Sequence, residues 1–371
     1  MDLESFNIDE IRLWRIKLEY REPFRTSFGV EKYKETIIIG LKSGDYYGYG
    51  ELVAIREPTY SYETLDTALS IFKEYFIPLV LKKELNPYIF YNETSWIRGH
   101  PMAKATFEMA LWDLYAKYLE KPLYKVIGGS RKKVEVGVSI GIQDNIDMLI
   151  RKIGKYLEEG YRRIKIKIKP GWDFKVLEKV RREFPDIPLT VDANAAYTKE
   201  DIPMLTNIDK YNLLYLEQPL YYWDIYYHSI LQRKISTPIC LDESLHNSLV
   251  TEAAIKIGAT KIINLKPGRV GGIIESLLIN EIGLKNNTPM WIGGMLETGI
   301  GRSFNVSIAT LDNVKYPSDI SESRRYYMKD IITKEWVMEN GFMKPREEAG
   351  IGVEIDWGYF YKKVLKEWVF R

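Results

Sequence analysis

Soft metal ligands are scarce in this chain. Its 371 residues include one cysteine, Cys240, and three histidines, His100, His228 and His246. A single thiol excludes an internal disulfide framework and a multi-thiolate zinc site, and three scattered histidines exclude a histidine cage within one motif. A charge excess is lacking too. Fifty-three basic and 51 acidic residues leave a net +2, and no basic stripe is visible, which argues against a nucleic-acid surface. No apolar run reaches the roughly 18 residues needed to span a membrane. The start, MDLESFNIDE, is acidic and has no signal-peptide core. The expectation is a cytoplasmic protein without membrane or nucleic-acid partners, and any metal must be held by hard oxygen.

Such oxygens are present on an almost even ladder. Asp192, Glu217, Asp242 and Lys266 are separated by 25, 25 and 24 residues, and each closes a short β-type run: LTVDAN, LLYLEQ, PICLDES and KIINLKPG. Successive strand–helix units of a parallel barrel give this spacing and bring the four side chains to one rim. Three converging carboxylates repel one another in a partly buried site, so a divalent cation is expected among them.

The length suits a barrel of about 250 residues plus a second module of about a hundred. Residues 11–54 read as an antiparallel meander broken by Pro23, Gly29, Gly40 and Asp45. Met102 to Leu119 follows as a helix with an apolar stripe. After KPLYKVIGGSRKK a strict strand–helix alternation begins, with strand candidates near 134–142, 163–169, 189–194, 213–218, 238–243, 261–266, 289–293 and 315–320. The fold class expected is α/β, a (β/α)₇β TIM-type barrel over residues 129–335 with an α+β capping domain over 1–128. The segment 336–371 returns to complete the cap.

In RIKIKIKPGWD, Lys165, Lys167 and Lys169 fall on one face of a strand. Such a face is either a solvated edge protected from aggregation or part of the barrel rim, where crowding of ammonium groups lowers their pKa toward that of a useful base. Lys266 sits further round and approaches from the opposite side. A metal holding a carboxylate, with a base on each face of its α-carbon, is the geometry for removing a proton next to that carboxylate.

These motifs, the K-x-K strand, VDANAAYT, LEQPL, CLDES and NLKPGRVGG, resemble those of the enolase superfamily, muconate-lactonising-enzyme subgroup. Further segments, including PFRTSFG, GYGELVAIREPTYS, GHPMAKATFEMALWD, EVGVSIGI, WIGGMLETGIGR and PSDISESRRYY, are similar over nearly the whole chain to o-succinylbenzoate synthases and N-succinylamino acid racemases. The resemblance implies that Asp192, Glu217 and Asp242 ligate Mg²⁺, or Mn²⁺, and that Lys167 and Lys266 are the two bases, with Lys165 the electrostatic helper of Lys167. It implies substrate contacts from Ser27, Phe28, Tyr60, Ser139, Asn194 and Met295, and a small carboxylate substrate turned over by a homo-oligomer. It also implies that Arg269 accompanies racemase activity. Dipeptide epimerases and muconate cycloisomerases share scaffold and bases and remain the rival activities, and a non-catalytic descendant is the remote one. Lys169 stands where many relatives carry an acidic residue.

Neighbouring residues have plainer readings. Glu243 points away from Asp242 on an ideal strand and is either a ligand or a hydrogen-bonding support behind the ligands. Asn194 is a substrate contact or a turn residue. Arg269 either lowers the pKa of Lys266 through its fixed charge or pairs with a surface carboxylate. Cys240 reads as barrel filler, His246 as a loop histidine and Glu297 as a loop organiser. Gly268, Gly271 and Gly272 resemble a phosphate loop only faintly, since the GK[ST] ending is missing.

Overall fold

The structure, a computed structural model, describes residues 4–25 and 29–371. Alternating polarity near the N-terminus forms three antiparallel strands, β1 (Glu10–Arg25), β2 (Val30–Ser43) and β3 (Tyr46–Glu51). The C-terminal strand Val364–Phe370 pairs with the free side of β1, giving the order C-terminal strand, β1, β2, β3. Gly40 does not break the meander as its position suggests. It lies inside β2 opposite Arg12, where a Cβ would stand 3.0 Å from the Trp14 ring. The register between β1 and β2 slips between Glu19 and Phe24, around Pro23, which has no N–H to give a ladder.

The helix Pro101–Tyr118 differs from its expected stripe. It is buried nearly all round, Glu108 and Asp113 included, because it is wedged between the sheet and the barrel. The sheet approaches so closely that a Cβ on Gly50 would lie 2.1 Å from the carbonyl oxygen of Thr106. On the other side Glu108 caps a barrel helix, accepting from the backbone N–H groups of Ile273 (2.8 Å) and Ile274 (2.9 Å). A side chain on Gly272 would meet that carboxylate at 2.1 Å, so this glycine serves close packing at a helix N-terminus and not a phosphate. Glu51, at the end of β3, does the same for Gly299–Ala309. It accepts from Thr298 N, Thr298 Oγ1 (2.6 Å) and Gly301 N (2.9 Å).

The second half is a parallel barrel. Its strands β4 (Gly137–Ile140), β5 (Arg163–Lys167), β6 (Leu189–Asp192), β7 (Leu216–Glu217), β8 (Ile239–Leu241), β9 (Ile262–Leu265) and β10 (Met290–Ile292) are neighbours in chain order. The eighth position is not a continuous strand. Pro317 interrupts it, and the ring closes through two parallel bridges, Val314 to Met290 and Ser318 to Val136. The architecture is therefore α/β, a TIM-type barrel with an antiparallel capping domain. All of β5 is buried, which removes the solvated-edge reading of its lysines. Beneath the rim, Tyr215, Cys240, Ile262 and Trp291 pack together, with Cys240 accepting from Trp291 Nε1 as interior filler. Among the described residues no helix is long and apolar enough to cross a membrane.

Candidate active site

Strand register sets the height of the chemical groups. Lys167 pairs with Asp192 and Asp192 with Glu217 across β5, β6 and β7, so three side chains stand level at the C-terminal ends of adjacent strands. Asp242 directly follows β8 and Lys266 directly follows β9. Since β5 and β9 are four places apart in the closed ring, Lys167 and Lys266 reach in from opposite sides. Both line one pocket with Tyr60, Ser139, Lys165, Asp192, Asn194, Met295 and Asp319. Ser27 and Phe28 lie outside the described residues. Lys169 does not join the others. It ends outside β5, partly exposed, in a bridge with Trp172.

Each ladder carboxylate is turned onto a cation. Lys167 Nζ donates to Asp192 Oδ2 and to Asn194 Oδ1, both at 2.6 Å. Lys165 Nζ lies 2.9 Å from Glu217 Oε2, 3.0 Å from Asp319 Oδ2 and 3.4 Å from Asp192 Oδ2. Lys266 Nζ donates to Asp242 Oδ2 at 2.8 Å, and Arg269 pairs with the other oxygen of the same carboxylate. Tyr60, supplied by the capping domain, stands between them. Its hydroxyl donates to Asp242 Oδ1 (2.9 Å) and accepts from Lys266 Nζ (3.0 Å), whose ammonium is 4.5 Å from the ring centre.

Two expectations need correction here. Crowding does not lower the pKa of Lys165 as a count of lysines alone suggests. Burial works against the ammonium of Lys165, but Asp319, Glu217 and Asp192 outweigh it and hold the pKa well above the usual lysine value. Burial likewise opposes the ammonium of Lys266, and Asp242 more than offsets it, so its pKa is also raised although Arg269 pulls the other way. Nor does Arg269 pair with a surface carboxylate. It is buried, with Nε on Leu245 O (3.0 Å) and Nη2 on Asn264 O (2.7 Å).

The carboxylates behave unequally. Burial, then Asp192, pushes Glu217 up to about 7, while burial of Asp242 is outweighed by Lys266 and Arg269, which hold it at about 2. Glu243 is pushed up to about 8, first by burial and then by Asp242 and Asp192. It faces away from the main pocket, toward Tyr62 and His246. Its Oε1 accepts from Asn194 Nδ2 (3.0 Å), and its Oε2 has no hydrogen-bond partner among the described residues. Asn194 combines its two readings, a left-handed turn residue (φ 44°) that bridges Lys167 and Glu243. Glu297 organises its loop by accepting from Met295 N at 2.9 Å. Among the described residues no three His, Cys, Asp or Glu side chains are drawn closely enough together to hold a metal ion, because the lysines and Arg269 take their oxygens. The donor chemistry nevertheless fits a hard divalent cation: three carboxylates at neighbouring strand ends, with Glu217 disfavoured as an anion by burial and then by Asp192.

The sequence reading missed two groups that touch this machinery. Asn264 Nδ2 donates to Glu217 Oε1 at 2.7 Å. Asp319 holds Lys165 and also accepts from Arg163 Nη2 at 2.7 Å. For Asp319 a signal existed, since it falls within the eighth strand candidate, where a barrel carries its chemistry.

Residues 10–128 match the mandelate racemase / muconate lactonizing enzyme N-terminal domain, and residues 148–359 match the enolase C-terminal domain-like family. An o-succinylbenzoate synthase of Geobacillus kaustophilus is 44% identical over 354 residues, covering 95% of this chain and 94% of the relative. The chain belongs to the enolase superfamily, within the o-succinylbenzoate synthase and N-succinylamino acid racemase family. An N-succinylamino acid racemase of Thermus thermophilus is 44% identical over 347 residues, 93% of this chain and 94% of that protein. Among solved structures, an enolase-superfamily member from Listeria innocua superposes with a TM-score of 0.95 at 39% identity, covering 98% of this chain and 99% of that one. As a member of this family the protein is an enzyme.

Proposed function

We propose that this enzyme removes the proton α to the carboxylate of a small substrate. It then either returns a proton to the other face, racemising N-succinylamino acids, or loses water to form o-succinylbenzoate. The observation that carries this reading is the placement of Lys167 and Lys266 on opposite sides of one pocket, with three carboxylates at the strand ends between them. Asp192, Glu217 and Asp242 would hold Mg²⁺, or Mn²⁺ in its place. Such an ion, when bound, offsets the negative charge that builds on the substrate carboxylate during deprotonation.

The protein's own groups do the rest. Lys167, oriented by Asn194, takes the proton from one face. Lys266, steadied by Tyr60, gives or takes it on the other. Lys165 stays charged beside Lys167 as its electrostatic helper. Tyr60, Ser139, Asn194 and Met295 contact substrate, as do Ser27 and Phe28, while Glu243 and Arg269 support the ligands from behind. In this reading residues 1–128 with 336–371 form the cap over the barrel at 129–335, in a cytoplasmic homo-oligomer that binds neither nucleic acid nor membrane. A turnover assay with N-succinylamino acids, with and without Mg²⁺, tests the reading. Metal-dependent racemisation is expected, and no turnover of these substrates or of the o-succinylbenzoate precursor would overturn it.

A further inference from the structure

The closing segment of the barrel carries a buried carboxylate to which the proposed reaction gives no role. Asp319 is 8% exposed and lines the pocket. Its position is fixed from three sides: its N–H donates to Ile292 O (2.8 Å), its Oδ1 accepts from Arg163, and its carbonyl lies so near Gly294 that a Cβ there would be 2.5 Å away. Arg163 is itself immobilised, donating to Pro317 O (2.9 Å) and lying 4.8 Å from the centre of the Trp291 ring. The other oxygen of Asp319 faces Lys165 Nζ at 3.0 Å.

Lys165 thus has three carboxylate partners. Two, Glu217 and Asp192, belong to the set assigned to the metal; Asp319 does not. An ammonium and a divalent ion compete for the same oxygens, and a buried ammonium left without an anion is strongly unfavourable. We propose that Asp319 is a positioning residue that gives Lys165 a seat of its own, so that a divalent ion can take Glu217 and Asp192 while the ammonium remains charged beside Lys167. The inference rests on the assignment of the metal to Asp192, Glu217 and Asp242. It makes the pair Lys165–Asp319 a device for metal affinity, separate from any proton transfer.

Calorimetric titration of the full chain with MgCl₂, without substrate, tests it as a double-mutant cycle. Asp319→Asn is expected to weaken Mg²⁺ binding by about tenfold or more, because Lys165 then holds the ladder carboxylates more firmly. Lys165→Met should bind Mg²⁺ more tightly than the native chain. In the Lys165→Met background Asp319→Asn should change the affinity by no more than about twofold, the scatter of independent sites. Equal losses in both backgrounds would show that Asp319 acts through space or through the fold, and would overturn the inference. So would unchanged binding in Asp319→Asn, or no gain in Lys165→Met. If Asp319→Asn fails to fold with Arg163 left unpaired, the same cycle is run on an Arg163→Gln background and read by the same criteria. A native chain that binds no Mg²⁺ would remove the metal assignment itself, and that result is visible before any variant is made.

Discussion

Arg269→Gln removes one fixed positive charge from the surroundings of Lys266. Lys266 Nζ is 3.0 Å and Arg269 Nη1 3.5 Å from the same Tyr60 oxygen, so the two cations are at most about 6.5 Å apart. At an effective dielectric constant of ~20, their repulsion is about 2.5 kcal/mol, or nearly two pKa units. The guanidinium also shares Asp242 with Lys266, and its loss leaves that carboxylate attracting the ammonium alone, which acts in the same direction. The pKa of Lys266 therefore rises on substitution. Only the neutral amine accepts a proton, so a rise of roughly one to two units slows proton removal on the Lys266 face by ~10–100-fold and moves the rising limb of its pH profile upward by the same amount. The assay is solvent-deuterium exchange of each enantiomer of an N-succinylamino acid, followed by NMR across pH. Exchange on the Lys167 face should change by less than about threefold, the level of a distant site. o-Succinylbenzoate formation should fall less than racemisation because it needs a base on one face only. Arg269→Lys keeps the charge and should restore much of the exchange, although it loses the donations to Leu245 and Asn264. Unchanged exchange on the Lys266 face, or equal losses on both faces, would refute this reasoning and remove Arg269 from the proton transfer at Lys266.

Three further outcomes follow from the site and the fold. Chelation should abolish activity, and Mg²⁺ or Mn²⁺ should restore it; Glu217→Gln should behave like the chelated enzyme, and full activity of either would contradict the metal assignment. Lys167→Ala and Lys266→Ala should both lose racemisation yet retain exchange of opposite enantiomers; loss of the same enantiomer's exchange in both variants would be inconsistent with bases on two faces. Gly50→Ala, which places a Cβ 2.1 Å from Thr106 O, should destabilise the fold by about 1–3 kcal/mol, read as a lowered thermal midpoint with the active-site groups intact. A midpoint equal to that of the native chain would mean that sheet and helix can separate freely there.

The ladder Asp192, Glu217, Asp242, Lys266 was legible because barrel strands recur at a steady interval and present chemistry at their C-terminal ends. The lysines of β5 were legible from alternation alone. What spacing could not convey is who faces whom across the ring. Counting lysines without their partners inverted the expected direction of the pKa shift at Lys165, since one of the carboxylates that oppose it lies 154 residues away. Asp319 lay within the eighth strand candidate but off the even ladder, and its segment, interrupted by Pro317, closes the ring by single bridges. The helix Pro101–Tyr118 lost its stripe because two layers cover it, and one sequence does not show how many layers will.

The two carboxylates by which the cap holds the barrel constrain how substrate reaches the pocket. Glu51 and Glu108 each terminate a barrel helix from the far side of a domain boundary. Swinging the cap away as a rigid body would break these bonds, at about 1 kcal/mol net apiece, and expose the apolar faces of the central helix as well. Hinge opening is thus an expensive motion that each turnover would have to repeat. Traffic in and out of the pocket must then depend on short rim segments, such as the one carrying Ile55 and Tyr60, which can yield while the two helix termini stay capped.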